Sequence, residues 1–136
     1  MKIENQVSLL PYNSFALPYL AKNLIRIHSE DDVLQVIKQK LHPLRILGGG
    51  SNILLTQDID GFLLKNEIKG LDIVEEDEEN VVVEVASGEN WHSFVMWTLE
   101  QNFGGLENLS LIPGTAGAAP IPVSYTHLTL PTSDLV

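Results

Sequence analysis

The sequence predicts a mixed α/β fold, and three features carry that prediction. A strand, helix, strand succession fills residues 24–47, three glycines follow its last strand directly, and a second loop of small residues spans Pro113 to Pro120. At 136 residues, 44% hydrophobic and 19% charged, the chain has the size and composition of a single globular domain with its own core.

Leu24-Ile25-Arg26-Ile27 is an apolar run suited to a strand. Ser29 stands where a side-chain oxygen can cap a helix over 30–40, with Asp32 three residues on in the place of a capping-box acid. Glu30, Asp31 and Asp32 in the first turn, and Lys38 and Lys40 in the last, suit the helix dipole. Val33, Val36, Ile37 and Leu41 recur at helical spacing and predict one sheet-facing stripe. Pro43 stops the helix and Leu44-Arg45-Ile46-Leu47 is a second strand. The trio therefore reads as a βαβ unit with two parallel neighbours and a right-handed crossover.

Ile53-Leu54-Leu55 and Phe62-Leu63-Leu64-Lys65 are further strand candidates, the second preceded by the turn signal Asp60-Gly61. Ile73-Val74-Glu75 and Val81 to Ala86 flank the acidic stretch 76–80 and predict a hairpin with a solvated tip, to which no chemistry is assigned. Asn90 is placed to cap a helix from Trp91 to Asn102, whose Trp91, Phe94, Val95, Thr98 and Leu99 share a core face, with Gly104-Gly105 as its stop.

Eight Lys and Arg against 18 Asp and Glu leave a formal charge of −10. That balance argues against a nucleic-acid partner, because phosphate backbones are bound by clustered cations. It also means that an anionic ligand must be held mainly by backbone N–H groups and dipoles. Cysteine is absent, so neither disulfides nor thiolate metal ligands arise. His28, His42, His92 and His127 are scattered without ligand spacing, so no metal is expected, and His92 beside Trp91 reads as structural. The polar start Met1 to Gln6 lacks a signal-peptide core, and no run approaches the ~20 apolar residues of a membrane span, so a soluble cytoplasmic protein is expected. Oligomeric state is not legible.

The chemistry is concentrated in two loops. In Leu47-Gly48-Gly49-Gly50-Ser51-Asn52, glycine gives no side-chain burial but permits positive φ and lets successive N–H groups converge on an anion. Ser51 and Asn52 add a hydroxyl and an amide. On spacing alone a tight strand-to-strand turn is an equal alternative. No lysine follows as in a P-loop, and the glycines do not open a helix as in the Rossmann pattern. In the second loop every position from Gly114 to Ala119 is small, Thr115 offers the only hydroxyl, and Pro113 and Pro120 stiffen the ends.

On these loops, and on Asn13-Ser14-Phe15, Gly88-Glu89-Asn90-Trp91-His92 and Gly105-Leu106-Glu107-Asn108-Leu109, the chain resembles the UDP-N-acetylenolpyruvoylglucosamine reductases, or UDP-N-acetylmuramate dehydrogenases, over roughly 12–121. The resemblance implies an FAD-binding fold of the vanillyl-alcohol oxidase/para-cresol methylhydroxylase type, with two α/β subdomains. Residues 1–70 would form the first, 71–121 the beginning of the second, and 122–136 a tail foreign to the family. It further implies that Leu47, Gly48, Gly49, Gly50, Ser51 and Asn52 cradle the FAD diphosphate. Pro113, Gly114, Thr115, Gly117, Ala118 and Ala119 would run along the cofactor.

The implied activity is the reduction, with NADPH as co-substrate, of UDP-N-acetylglucosamine enolpyruvate to UDP-N-acetylmuramate in peptidoglycan synthesis, the UDP-sugar being the small-molecule partner. The family's proton-donating serine and its assisting arginine and glutamate have no counterparts here, so the 136-residue chain is expected to be inactive and to bind FAD weakly or not at all. After Ile121 the family reads Gln-Asn-Ile-Gly-Ala-Tyr-Gly, whereas this chain reads Pro122-Val123-Ser124-Tyr125-Thr126-His127, which resembles translated adapter sequence. Another FAD-dependent oxidoreductase of the same superfamily, or a non-catalytic nucleotide-binding module, are the alternatives.

Overall fold

The computed structural model describes residues 1–121; the tail expected to be foreign lies outside them. Eight regular elements follow one another: β1 (Ile3–Ser8), β2 (Leu20–Ile27), α1 (Glu30–Lys38), β3 (Leu44–Leu47), β4 (Ile59–Asn66), β5 (Leu71–Glu76), β6 (Val81–Val85) and α2 (Trp91–Glu100). Strand order in space departs from chain order. One sheet runs β1-β2-β4-β3, and β5 and β6 form a separate two-stranded sheet.

β1 is antiparallel to β2, while β2 and β3 both lie parallel to β4. The βαβ reading is corrected in one respect: β2 and β3 are not neighbours, because β4 inserts between them. The composition of β4 explains its place. Leu63 packs into the cluster of Leu9, Ala21, Leu24, Leu47 and Leu55 on one face, and Leu64 into that of Ile25, Ile27 and Val36 on the other. A strand that is apolar on both faces belongs at the centre of a covered sheet. β3 is an edge, with Ile46 74% exposed. β1 has no sequence signal, since only Ile3 and Val7 interrupt a polar run and both stand on an edge strand.

Ile53-Leu54-Leu55 is loop, not strand. Leu55 is buried and Ile53 packs against the same cluster, so the alternation of a strand is present. What is missing is a partner: β4 is flanked on both sides, and the segment pairs with neither outer edge of the sheet.

α1 is capped as expected: Ser29 Oγ accepts from Asp32 N–H at 3.2 Å. The returning acid reaches one residue further back than in a capping box, Asp32 Oδ2 accepting from His28 N–H at 2.9 Å. The helix closes at Lys38, two residues short of the predicted end, and Lys40 takes φ +51°. Val36 is buried at 2% exposure but Ile37 is 62% exposed. The helix rests on β2, so its footprint is narrower than its apolar stripe.

The β5–β6 hairpin forms as predicted, with Asp77 accepting from Glu79 and Asn80 N–H in its tip. In α2, Asn90 Oδ1 caps Ser93 N–H at 2.9 Å, and Phe94, Val95 and Thr98 are buried. Leu99, at 38% exposure, lies at the margin of that face. The helix ends at Glu100 and is terminated by Asn102 (φ +60°), with Phe103 N–H returning to Thr98 C=O at 2.8 Å. The predicted stop, Gly104-Gly105, falls beyond this turn. Among the described residues no helix is long and apolar enough to cross a membrane.

Candidate functional site

The three parallel strands finish side by side, with Ile27 opposite Asn66 and Leu47 opposite Lys65. Ligand crevices of open α/β sheets lie beyond such carboxyl ends. Leu47, buried at the end of β3, anchors the chain there, and Gly48 to Asn52 leave directly into that space.

Gly50 sets the shape of this loop. Its φ is +71°, and a Cβ at this position would overlap the carbonyl of Tyr12. Its own carbonyl accepts from Ser14 N–H at 3.0 Å. The opposing segment is held by buried Asn13, whose Nδ2 donates to Leu9 C=O (2.6 Å) and Leu17 C=O (3.1 Å) while Oδ1 accepts from Leu17 N–H (3.0 Å). Among the described residues, the N–H groups of Gly49, Gly50, Ser51 and Asn52 donate to no protein acceptor. Gly49 and Asn52 are exposed, and a row of donors of this kind can converge on an anion.

The second loop is aligned by residues 87–92, which include one of the blocks that carried the resemblance. Gly117 N–H donates to Ser87 C=O (3.0 Å), Ala116 N–H to Glu89 C=O (2.8 Å) and Trp91 N–H to Gly114 C=O (3.0 Å). Asn90 and Thr115 form an antiparallel bridge. His92 Nδ1 accepts from Leu111 N–H (2.9 Å) and Trp91 Nε1 donates to Leu109 C=O (2.9 Å). These bonds fix the approach to the loop and give His92 the structural role its sequence position indicated. A Cβ on Gly117 would stand 2.7 Å from Ser87 Cβ, and Ser87 Oγ accepts from Asn66 Nδ2 at 2.8 Å. The loop is thereby tied back to the end of β4.

The two loops meet. A Cβ built on Gly49 would lie 3.3 Å from Gly114 Cα, one on Gly114 3.2 Å from Ser51 Oγ, and one on Gly48 3.1 Å from Thr115 Oγ1. A side chain on either side of this junction would crowd the other loop by a few tenths of an ångström, which favours small residues there. Gly48, Gly49, Ser51, Gly114 and Thr115 come together here. Asn52, Pro113 and Gly117 are exposed, Ala118 is half-buried and Ala119 is buried. Donors without acceptors, beside a surface that side chains would fill, fit a diphosphate held by backbone.

Sequence reasoning missed the charged surroundings of this site. Lys65 Nζ donates to Gly48 C=O at 2.5 Å, and burial pushes its pKa below the ordinary lysine value. Beside it on β2, Arg26 donates to Tyr12 OH (2.9 Å), Glu4 Oε1 (2.8 Å) and Glu67 Oε1 (2.8 Å). The tyrosine hydroxyl bond, then the glutamates, raise the Arg26 pKa, keeping it charged. Glu67 Oε2 lies 3.1 Å from His28 Nε2. A lysine closing an otherwise apolar strand run was the available signal.

A central parallel sheet with two small-residue loops packed against each other at its carboxyl ends is the build of a domain that takes a nucleotide through backbone. The chain belongs to the FAD binding domain family, whose model matches residues 21–130. It is 46% identical over 122 residues to the UDP-N-acetylenolpyruvoylglucosamine reductase of Flavobacterium johnsoniae, covering 89% of this chain and 36% of that protein. It is 48% identical over 124 residues to that of Pseudomonas fluorescens Pf-5, covering 89% and 37%. The chain thus spans little more than a third of the length of these curated relatives. A crystal structure of UDP-N-acetylenolpyruvylglucosamine reductase (MurB) from Thermus caldophilus shares the fold, with a TM-score of 0.66 at 22% identity over 88% of this chain and 41% of that one.

Proposed function

We propose that this chain holds the diphosphate of FAD in the nest formed by Gly48, Gly49, Gly50, Ser51 and Asn52. Pro113, Gly114, Thr115, Gly117, Ala118 and Ala119 line the cofactor's path, and Leu47 anchors the nest to the sheet. The carrying observation is the row of N–H groups from Gly49 to Asn52 without protein acceptors among the described residues, set at the carboxyl ends of three parallel strands. When bound, FAD supplies hydride transfer; the residues of this chain bind it, orient it and exclude side chains from its backbone contacts.

At the level of the whole protein, the reading is an NADPH-using reductase in the cytoplasm that converts UDP-N-acetylglucosamine enolpyruvate to UDP-N-acetylmuramate for peptidoglycan. Similarity to reductases of that name from Flavobacterium and Pseudomonas supports it. No residue among 1–121 is assigned a proton-transfer role in that reaction.

Titration of the chain with FAD and with riboflavin, followed by flavin fluorescence, tests the diphosphate assignment. FAD binding at least about tenfold tighter than riboflavin is the expected result, corresponding to roughly one net charge-assisted hydrogen bond. Equal affinities for the two flavins would remove the nest from the account. Reductase activity is tested in the full-length protein by NADPH oxidation that depends on the enolpyruvyl UDP-sugar.

A further inference from the structure

We propose that Lys65 is a positioning residue of the diphosphate nest, fixing the Gly48 carbonyl from the sheet side and supplying the positive charge that a bound diphosphate meets. Lys65 has this role only if the diphosphate reading above holds.

The cations around the carboxyl ends of the parallel strands differ in their partners. Arg26 is paired with Glu4 and Glu67, His28 faces Glu67, and Lys69 is paired with Glu89 at 3.4 Å while donating to Gly88 C=O at 2.7 Å. Lys65 forms no close ion pair among the described residues, although the charges of Glu67, Arg26 and Lys69 act on it from a distance; its one hydrogen bond goes to Gly48 C=O. It is half-buried. A partly desolvated ammonium with two donor positions to spare is favoured by an anion that completes its shell. In a chain of net charge −10, this cation is kept against the first residue of the glycine loop.

The bond to Gly48 has a second effect. The carbonyl tied back to Lys65 shares its trans peptide with Gly49 N–H, which is thereby turned to the side away from β4, and this N–H and those of Gly50 to Asn52 have no acceptor among the described residues. The same ammonium thus orients the nest and sits at its base.

The experiment is a titration of the 15N-labelled chain with pyrophosphate, ADP and riboflavin, reading the amide signals of Gly48 to Asn52. Wild type should respond to pyrophosphate and ADP. Lys65→Met should weaken both by about 10- to 100-fold, the loss of one charge-assisted hydrogen bond. Lys65→Arg should recover most of that loss, and riboflavin should bind all three alike. Unchanged pyrophosphate and ADP affinity in Lys65→Met overturns the role of Lys65 while leaving the nest intact. Loss of riboflavin binding in parallel would mean a purely structural lysine, which also overturns it. A wild-type chain whose Gly48 to Asn52 amides ignore both anions sinks the diphosphate reading itself, and this role with it. Should Lys65→Met fail to fold, the wild-type Lys65 side chain decides: pyrophosphate should raise the pH at which its ε-CH2 signal titrates, and an unmoved titration overturns the role.

Discussion

Gly50 and Gly104 are the same amino acid in opposite situations. A Cβ on Gly104 would meet nothing within 4 Å, whereas at Gly50 a side chain meets the Tyr12 backbone in a positive-φ conformation. Gly50→Ala should therefore cost about 1–2 kcal/mol for the backbone and roughly 1–3 kcal/mol more for overlap, while Gly104→Ala should be close to neutral. Urea unfolding of the two variants checks this, and similar midpoints would contradict it. Asn13 is legible only in part: its place in a family-like Asn-Ser-Phe run marked it, but not its three bonds to the 9–17 backbone. Asn13→Ala leaves buried groups unpaired and should cost about 1–3 kcal/mol, with the nest loosened as the Tyr12 segment shifts. Lys65 has its own pH signature. Its folded pKa is depressed, so the unfolded chain binds more protons in the alkaline window below the usual lysine value. Stability of the ligand-free chain should rise with pH there, while affinity for pyrophosphate falls. A thermal midpoint and an anion titration over the same pH range, moving in opposite directions, are the expected pair.

Caps and hairpins were readable because their signals are local. Ser29 and Asn90 cap the two helices from their own sequence neighbourhoods, and the β5–β6 turn follows from its acidic tip. Pairing was not local. Ile53–Leu55 carries a strand pattern without a strand, because whether a strand forms is decided by pairing with another strand, which a local pattern does not specify. β1 is the converse, a strand made from a polar segment because β2 offers it an edge. Of the site, the sequence displayed the two loops and their small residues but not that they touch, nor that Lys65 lies under Gly48. At this scale acid tests the α1 cap. The His28 N–H bond, foremost, holds the Asp32 carboxyl below its ordinary range. A depressed carboxylate stabilises above its unfolded pKa and ceases to as pH falls through the folded one, so its contribution disappears toward strongly acidic pH. Asp32→Asn should flatten that acidic dependence of helix stability, measured by circular dichroism.

For the whole molecule, charge and site pull in opposite directions. A net charge of −10 repels a diphosphate at a distance, so the proposed nest would have to act at close range, and added salt, by screening that repulsion, should strengthen rather than weaken net attraction. FAD that binds the folded chain alone should raise the thermal midpoint with concentration, by about 2.7 kcal/mol of stability at a hundredfold excess over Kd. A midpoint indifferent to FAD would argue against binding by this chain.

The central place of β4 also dictates a sequence of events. β1, β2 and α1 are complete by residue 38, yet β3 can pair with nothing until β4, emerging at 59–66, enters between it and β2. Up to that moment β3 is an orphan strand tethered by the helix, and the glycines after it have neither Lys65 beneath them nor a fixed sheet edge. The glycine loop thus takes its form late in the chain's growth at the ribosome: its own residues are made by position 52, but its setting waits for a strand translated afterwards.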